Sequence, residues 1–227
     1  MSAGSVYLVS SSQPKTLDAI IARALSTIGR KPARIAASFA AAGGPHAGQM
    51  SAFLAKAFGG ATLARFTVHG ETPAMSPLTA RAIVEDADLV FLGGGDPIHG
   101  AHLLANAGAD QWLRDAHLGG TPCMGISAGA IMLCGWWAEW PDRAPKDALH
   151  DGGTLVPCAR VVPDLVIDCH AEEDNWAELR LVRAMLHDHL GESLNMPRFL
   201  GLPTGSGLIV GPDRALETVG IPPFRLV

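Results

Sequence analysis

Short apolar runs alternate along this chain with stretches in which apolar residues recur every three or four positions. Ser5 to Ser10 (SVYLVS) is a β-branched run and predicts a first strand. Thr16 to Ile28 follows with Leu17, Ile20, Ile21, Ala24 and Leu25 on one helical stripe. Ala33 to Phe39 reads as a second strand. Gly48 to Phe58 reads as a helix closed by Gly59-Gly60, and Ala61 to Val68 as a third strand. Pro77 to Asp86 is helical and leads into Asp88 to Leu92, a buried strand that ends in three glycines. Ala101 to Ala116 predicts a helix, Pro122 to Ile126 a short apolar strand, and Ser127 to Trp136 a helix.

Strand and helix in alternation, with short connections, are the signature of an α/β domain with a parallel sheet. The predicted strands are continuous apolar runs, as expected when helices cover both faces of the sheet. After Trp140 the pattern loosens. Pro141 to Pro157 is polar and punctuated by Pro and Gly, and reads as a loop or lid. Val161 to Asp168 predicts a strand and Glu173 to Leu190 a long helix. Leu208 to Val210, Ala215 to Val219 and Phe224 to Val227 read as closing strands. With no internal repeat or linker, one domain over residues 1–227 is expected.

Composition narrows the class of function. The chain has 227 residues, 48% of them hydrophobic, enough for a packed core. Its formal charge of -5, with no basic block, argues against nucleic acid as a partner. No apolar run approaches the ~18 residues of a membrane span, and the first dozen residues lack the basic-then-apolar order of a secretory signal. A cytoplasmic location is expected. Cys123, Cys134, Cys158 and Cys169 show no metal or redox spacing and read as buried thiols.

Three motifs carry chemistry. Gly125-Ile126-Ser127-Ala128-Gly129 is a G-x-S-x-G, weak as a bare pattern. Its setting between an apolar strand and an Ala-rich helix is that of a nucleophile elbow, where glycines allow a tight turn and the helix N-terminus faces a developing oxyanion. The plainer alternative is a helix N-cap serine. Phe91 to Pro97 places Gly93-Gly94-Gly95 at the carboxyl end of a strand, where ligands bind in open parallel sheets. Asp168-Cys169-His170 ends another strand, so His170 can reach Ser127 as a general base. His187 and His189 are two apart and do not share a helical face, a poor metal pair.

In this order the motifs resemble peptidase family S51, which contains aspartyl dipeptidase (peptidase E) and cyanophycinase. The quoted residues are strand–GGGD, strand–GISAGA, and strand–DCH ahead of an Arg-bearing helix. The resemblance spans roughly residues 60 to 210. It implies a three-layer, flavodoxin-like parallel sheet related to class I glutamine amidotransferases. It also implies a serine peptidase acting on small peptides through an acyl-enzyme, with no metal or organic cofactor. By motif, Ser127 matches the nucleophile, His170 the general base, and the amides of Gly95 and Ala128 the oxyanion hole. Gly94, Asp96 and Thr204 are candidates for contacting substrate.

The chain departs from the family at two places. Peptidase E carries its triad acid as the Glu of an L-P-E-G stretch, where this chain reads Leu202-Pro203-Thr204-Gly205. A Thr hydroxyl can orient an imidazole but supplies no charge. Asp142, Glu139, Asp168, Glu172 and Glu173 are the candidate substitutes, with Asp142 carried as the catalytic choice. The aspartyl dipeptidases also use an Arg before the post-His helix, where Ala177 stands here beside Glu172-Glu173-Asp174. A basic or amino-bearing substrate fits that acidic rim. The helix dipole explains the rim equally well.

Trp136 and Trp140, four apart, read as buried on a helix, with Trp137 the freer ring at a pocket or homodimer surface. Two other readings stay open: a catalytically weak relative that binds a peptide or amino acid, and an α/β-hydrolase esterase using Ser127, Asp142 and His170 in that order.

Overall fold

The computed structural model describes residues 2–71, 73–140, 153–191 and 196–226. A seven-stranded sheet runs through the middle in the order β11-β10-β1-β5-β4-β2-β3. Its parallel part is β1 (Val6–Val9), β2 (Arg34–Ser38), β3 (Thr62–Arg65), β4 (Leu89–Leu92) and β5 (Cys123–Ile126). Two antiparallel strands, β10 (Ser206–Val210) and β11 (Leu216–Gly220), extend it beyond β1.

Strand residues alternate between two apolar layers. Tyr7, Val9, Leu89, Phe91, Met124 and Ile126 face one side with helices α1 (Pro14–Ser26) and α2 (Gly44–Ala57). Val6, Leu8, Val90, Leu92 and Cys123 face the other, with α3 (Pro77–Glu85), α4 (Pro97–Asn106), α5 (Ala109–Leu118) and α6 (Ala128–Leu133). Burial on both faces is what continuous apolar runs require. The expected α/β class and parallel sheet are what forms.

Several boundaries differ, each for a local reason. The single helix expected over Ala101 to Ala116 is two, α4 and α5, because Gly108 takes a left-handed conformation (φ +69°) between them. The helix expected over Ser127 to Trp136 stops at Leu133, and Trp136–Glu139 is a strand, β6. It pairs antiparallel with β7 (Thr154–Pro157), at the end of the stretch expected as a loop or lid; residues 141–152 lie outside the described residues. On a strand side chains alternate. Trp137 is therefore the buried ring, and Trp136 and Trp140 are half-buried, the reverse of the helical expectation.

A second, three-stranded sheet stands apart, in the order β12-β9-β8. It holds β8 (Leu165–Cys169), β9 (Arg198–Leu202) and β12 (Phe224–Leu226), covered by α7 (Ala177–Leu190). The helix expected from Glu173 begins at Ala177 instead, and Glu172–Asp174 form a separate 3-10 turn. Asn175 and Trp176 are both left-handed (φ +55° and +60°) and turn the chain into the helix. Trp176 then stacks on Phe224 at 5.8 Å and lies against Gly201, where a Cβ would overlap the indole. Among the described residues no helix is long and apolar enough to cross a membrane.

Candidate active site

Ser127 sits between β5 and α6 with φ +52° and ψ -120°, a conformation rare for a residue with a side chain. Such a backbone costs on the order of 1–3 kcal/mol and persists only where its surroundings enforce it. The surroundings are the two glycines of the motif. A Cβ on Gly125 would overlap the Gly129 carbonyl, and one on Gly129 would overlap the Leu92 carbonyl of β4. The turn is thus clamped between its own ends and the neighbouring strand. The Ser127 amide donates to Val9 O at 2.8 Å, continuing the β1 ladder into the turn.

The three-glycine turn lies beside the elbow. A Cβ on Gly94 would come within 3.3 Å of Ser127 Cβ and 3.8 Å of its Oγ. Gly95 has φ +141°, and a Cβ there would overlap the Ala41 carbonyl. The carboxylate of Asp96 accepts from the amides of Ile98 (2.9 Å) and His99 (3.1 Å), capping α4. The structure therefore places that side chain in the helix start.

His170 arrives from the second sheet. β8 ends at Cys169, and the His170 amide donates to Leu202 O at 2.9 Å, one step past the β8–β9 ladder. Its φ of +48° is again left-handed. The turn brings His170 Nε2 to 2.8 Å from Ser127 Oγ. Two rare backbone conformations thus meet at one hydrogen bond. Cys169, one residue earlier, donates its thiol to Ser127 O at 3.7 Å from within the core. Cys123 and Cys158, also buried, are pushed up to about 12 by desolvation. As protonated thiols they are not nucleophiles.

Ser127, His170, Gly94 and Gly95 line one open cavity of about 390 Å³, together with Ser10, Ser11 and Ser12. The serines were not among the expected site residues. Their signal was in the sequence: a polar Ser-Ser-Ser run directly after an apolar strand, at the sheet edge where ligands bind. Ser10 is committed elsewhere, its Oγ donating to Ser206 O at 2.9 Å, and Ser11 Oγ accepts from the Gly205 amide at 3.3 Å.

The candidate acids separate clearly. Asp142 lies outside the described residues. Glu139 faces His102 (3.3 Å) on the surface. Asp168 is buried, its Oδ1 accepting from the Cys169 amide at 2.8 Å. Its pKa is pushed up to about 7, first by burial and then by Glu178, Asp174 and Glu172, against the pull of that amide. Glu172 accepts from the Thr204 amide at 3.0 Å. Burial opposes its ionisation, but hydrogen bonds from the Thr204 side chain, its own amide and the Thr204 amide, and the charge of His170, outweigh that and hold it below its ordinary value. Thr204 and Glu172 therefore meet beside His170, an association invisible in the sequence because β8 and β9 bring together residues 32 apart.

Residues 50–152 match the model of peptidase family S51. This stretch includes the three-glycine turn and the G-x-S-x-G and ends before His170. The resemblance read from the motifs is therefore matched over that stretch, a little under half of the chain. No curated protein matches. Among solved structures, a peptidase from an acI-B1 Actinobacterium is 19% identical with a TM-score of 0.67, covering 99% of this chain and 94% of that one. A protein of Listeria monocytogenes EGD-e, described as a candidate peptidase E, is 13% identical with a TM-score of 0.68, covering 97% and 100%. At these identities the likeness is one of fold.

Proposed function

We propose that this chain is a serine peptidase that hydrolyses small peptides through an acyl-enzyme on Ser127. The observation that carries the reading is the 2.8 Å contact between Ser127 Oγ and His170 Nε2 at the wall of an open cavity. In the reaction, Ser127 Oγ attacks the scissile carbonyl while His170 Nε2 takes its proton. The amides of Gly95 and Ala128 receive the oxyanion. The tetrahedral intermediate collapses, the C–N bond breaks, and His170 gives the proton to the leaving amine. A water, deprotonated by His170, then attacks the ester. The carbonyl–Oγ bond breaks and Ser127 recovers its proton.

The charge for the imidazolium comes from Glu172 in this reading. Its carboxylate is already ionised below the usual range, and His170 is among the causes. Thr204, standing where peptidase E has its acid, fixes that carboxylate with its amide and hydroxyl. A cavity of about 390 Å³ is at the small end of ligand sites and suits a dipeptide or short isopeptide.

The test is a serine-directed fluorophosphonate read by intact mass. Wild type is expected to gain a single adduct. Ser127→Ala abolishes it, and His170→Ala slows it strongly. No adduct on a folded wild type overturns the peptidase reading. A panel of dipeptides and p-nitrophenyl esters then separates peptidase from esterase.

A further inference from the structure

A larger cavity lies away from Ser127. It measures about 840 Å³ and is walled by α7, β9, β12 and the β10–β11 turn. Five of the chain's 17 Lys and Arg residues line it: Arg180, Arg183, Arg198, Arg214 and Arg225. On a chain of net charge -5 this is a strong local excess of one sign. The cavity begins at the opposite end of the β8–β9 pair from the catalytic residues. Arg198 is in register with Leu165, whereas Leu202 is in register with Cys169, just before His170. Four residues of strand put about 13 Å between these ends.

The sequence builds this face in a regular way. Arg180, Arg183 and His187 recur at helical spacing and share one stripe of α7. Arg225 sits in the short strand β12, between two partly buried apolar residues. Arg214 is held in a left-handed turn (φ +65°), closed by Gly211 N to Ala215 O at 2.9 Å. The acids do not balance these charges. One carboxylate, Asp164, serves two guanidinium groups, Arg198 at 3.0 Å and Arg214 at 3.3 Å. Arg180 lies over the Phe224 ring at 5.4 Å and donates to Asn175 O. Among the described residues, no carboxylate lies within ion-pairing distance of Arg183 or Arg225. Asp188 is the acid on the cavity wall. Apolar surface from Met196, Leu216 and Leu226 completes it.

We infer that this cavity is a second binding site, for a small organic anion that carries two or more negative charges and an apolar part. Guanidinium groups recognise phosphate and carboxylate oxygens as bidentate donors, and several converging on one cavity favour a multiply charged ligand. The volume lies in the range of small-molecule sites. The apolar wall adds area that a bare inorganic anion cannot use. This inference is independent of the chemistry at Ser127.

The test is calorimetric titration of the full chain at low salt with three probes: adenosine monophosphate, citrate and inorganic pyrophosphate. They separate phosphate with an apolar ring, carboxylates, and phosphate charge alone. At least one of the first two is expected to bind with a Kd below about 1 mM and to weaken with added salt. The Arg183→Gln/Arg225→Gln double variant should bind it at least about tenfold more weakly, a loss of about 1.4 kcal/mol. Thermal unfolding of the variant confirms that it is folded, and single variants serve if the double variant is not. No binding of adenosine monophosphate or citrate overturns the inference. So does equal binding by the variants, or sedimentation as a dimer that the same substitutions dissociate, which would assign the face to a second copy of the chain.

Discussion

The two ends of the β8–β9 pair are built from the same two parallel strands and carry opposite charge. At the carboxyl end stand His170 and the acids Asp168, Glu172, Glu173 and Asp174. At the amino end stand Arg198, Arg214 and the arginines of α7 and β12. The backbone differs as well. The acidic end turns through left-handed residues at His170, Asn175 and Trp176, and it meets the elbow. The basic end opens on a wide cavity. A pair of strands thus sets the two proposed chemistries, proton transfer and anion binding, about 13 Å apart. The largest test of the difference is at the reacting atoms. If the proposed mechanism holds, Ser127→Ala lowers hydrolysis by on the order of 10⁶, the loss known for triad serines, while leaving the anion titration unchanged. An equal loss at both sites would show that they are one.

Glu172→Gln comes next. It keeps the shape of the side chain and its acceptor for the Thr204 amide but removes the charge. We expect kcat to fall by about 10² to 10⁴ with KM nearly unchanged, since the charge acts when the imidazolium forms. Glu173→Gln, one residue further on and exposed, is the control and should change little. If the two variants behave alike, Glu172 is a surface charge and the acid lies elsewhere, with Asp142→Asn the next substitution to assay.

Asp168 tests the acidic end through stability. Its folded-state pKa of about 7 lies above the ordinary 3.8. Between these values the folded chain keeps a proton that the unfolded chain releases. Stability therefore falls as pH rises from about 4 to about 7 and is level beyond. At 1.36 kcal/mol per unit the ceiling is on the order of 4 kcal/mol. Asp168→Asn removes the slope: its melting temperature should exceed that of wild type at pH 8, with the gain lost near pH 4. Because Oδ2 has no hydrogen-bond partner among the described residues, the amide inherits an unpaired group, which reduces the gain. Parallel curves for the two proteins from pH 4 to 8 would show that Asp168 ionises normally.

Much of this arrangement was legible in the residues. Continuous apolar runs gave β1, β2, β4 and β5, and two of the three motifs, at the ends of β4 and β5, lie where a parallel sheet places its ligands. Ser127 and His170 were legible because an elbow and a strand-terminal His are local patterns. What the sequence hid was long-range. β9 was not expected, since Arg198-Phe199-Leu200-Gly201-Leu202 has a weak strand pattern and forms by pairing between β8 and β12. Without β9, Thr204 could not be placed against Glu172. The tryptophans misled for a related reason: a spacing of four fits a helix, but pairing with β7 made the segment a strand. The arginine cavity was also unreadable, because its walls come from four elements between residues 180 and 226.

The smallest effect lies at the basic end and checks that the two ends act separately. Asp164 is the carboxylate shared by Arg198 and Arg214, and about half of its side chain is exposed. Ion pairs of that kind contribute at most about 1 kcal/mol, so Asp164→Asn should lower the melting temperature only slightly. Removing one negative charge beside the cavity leaves two guanidinium groups without a counter-ion. Binding of the anionic probe should then tighten by about threefold at low salt, with the gain lost at high salt. Fluorophosphonate labelling of Ser127 should keep its rate, because the substitution lies at the far end of β8 from His170. If binding weakens instead, Asp164 is aligning the arginines for the ligand, and the basic end depends on its ion pairs for geometry rather than being limited by them in charge.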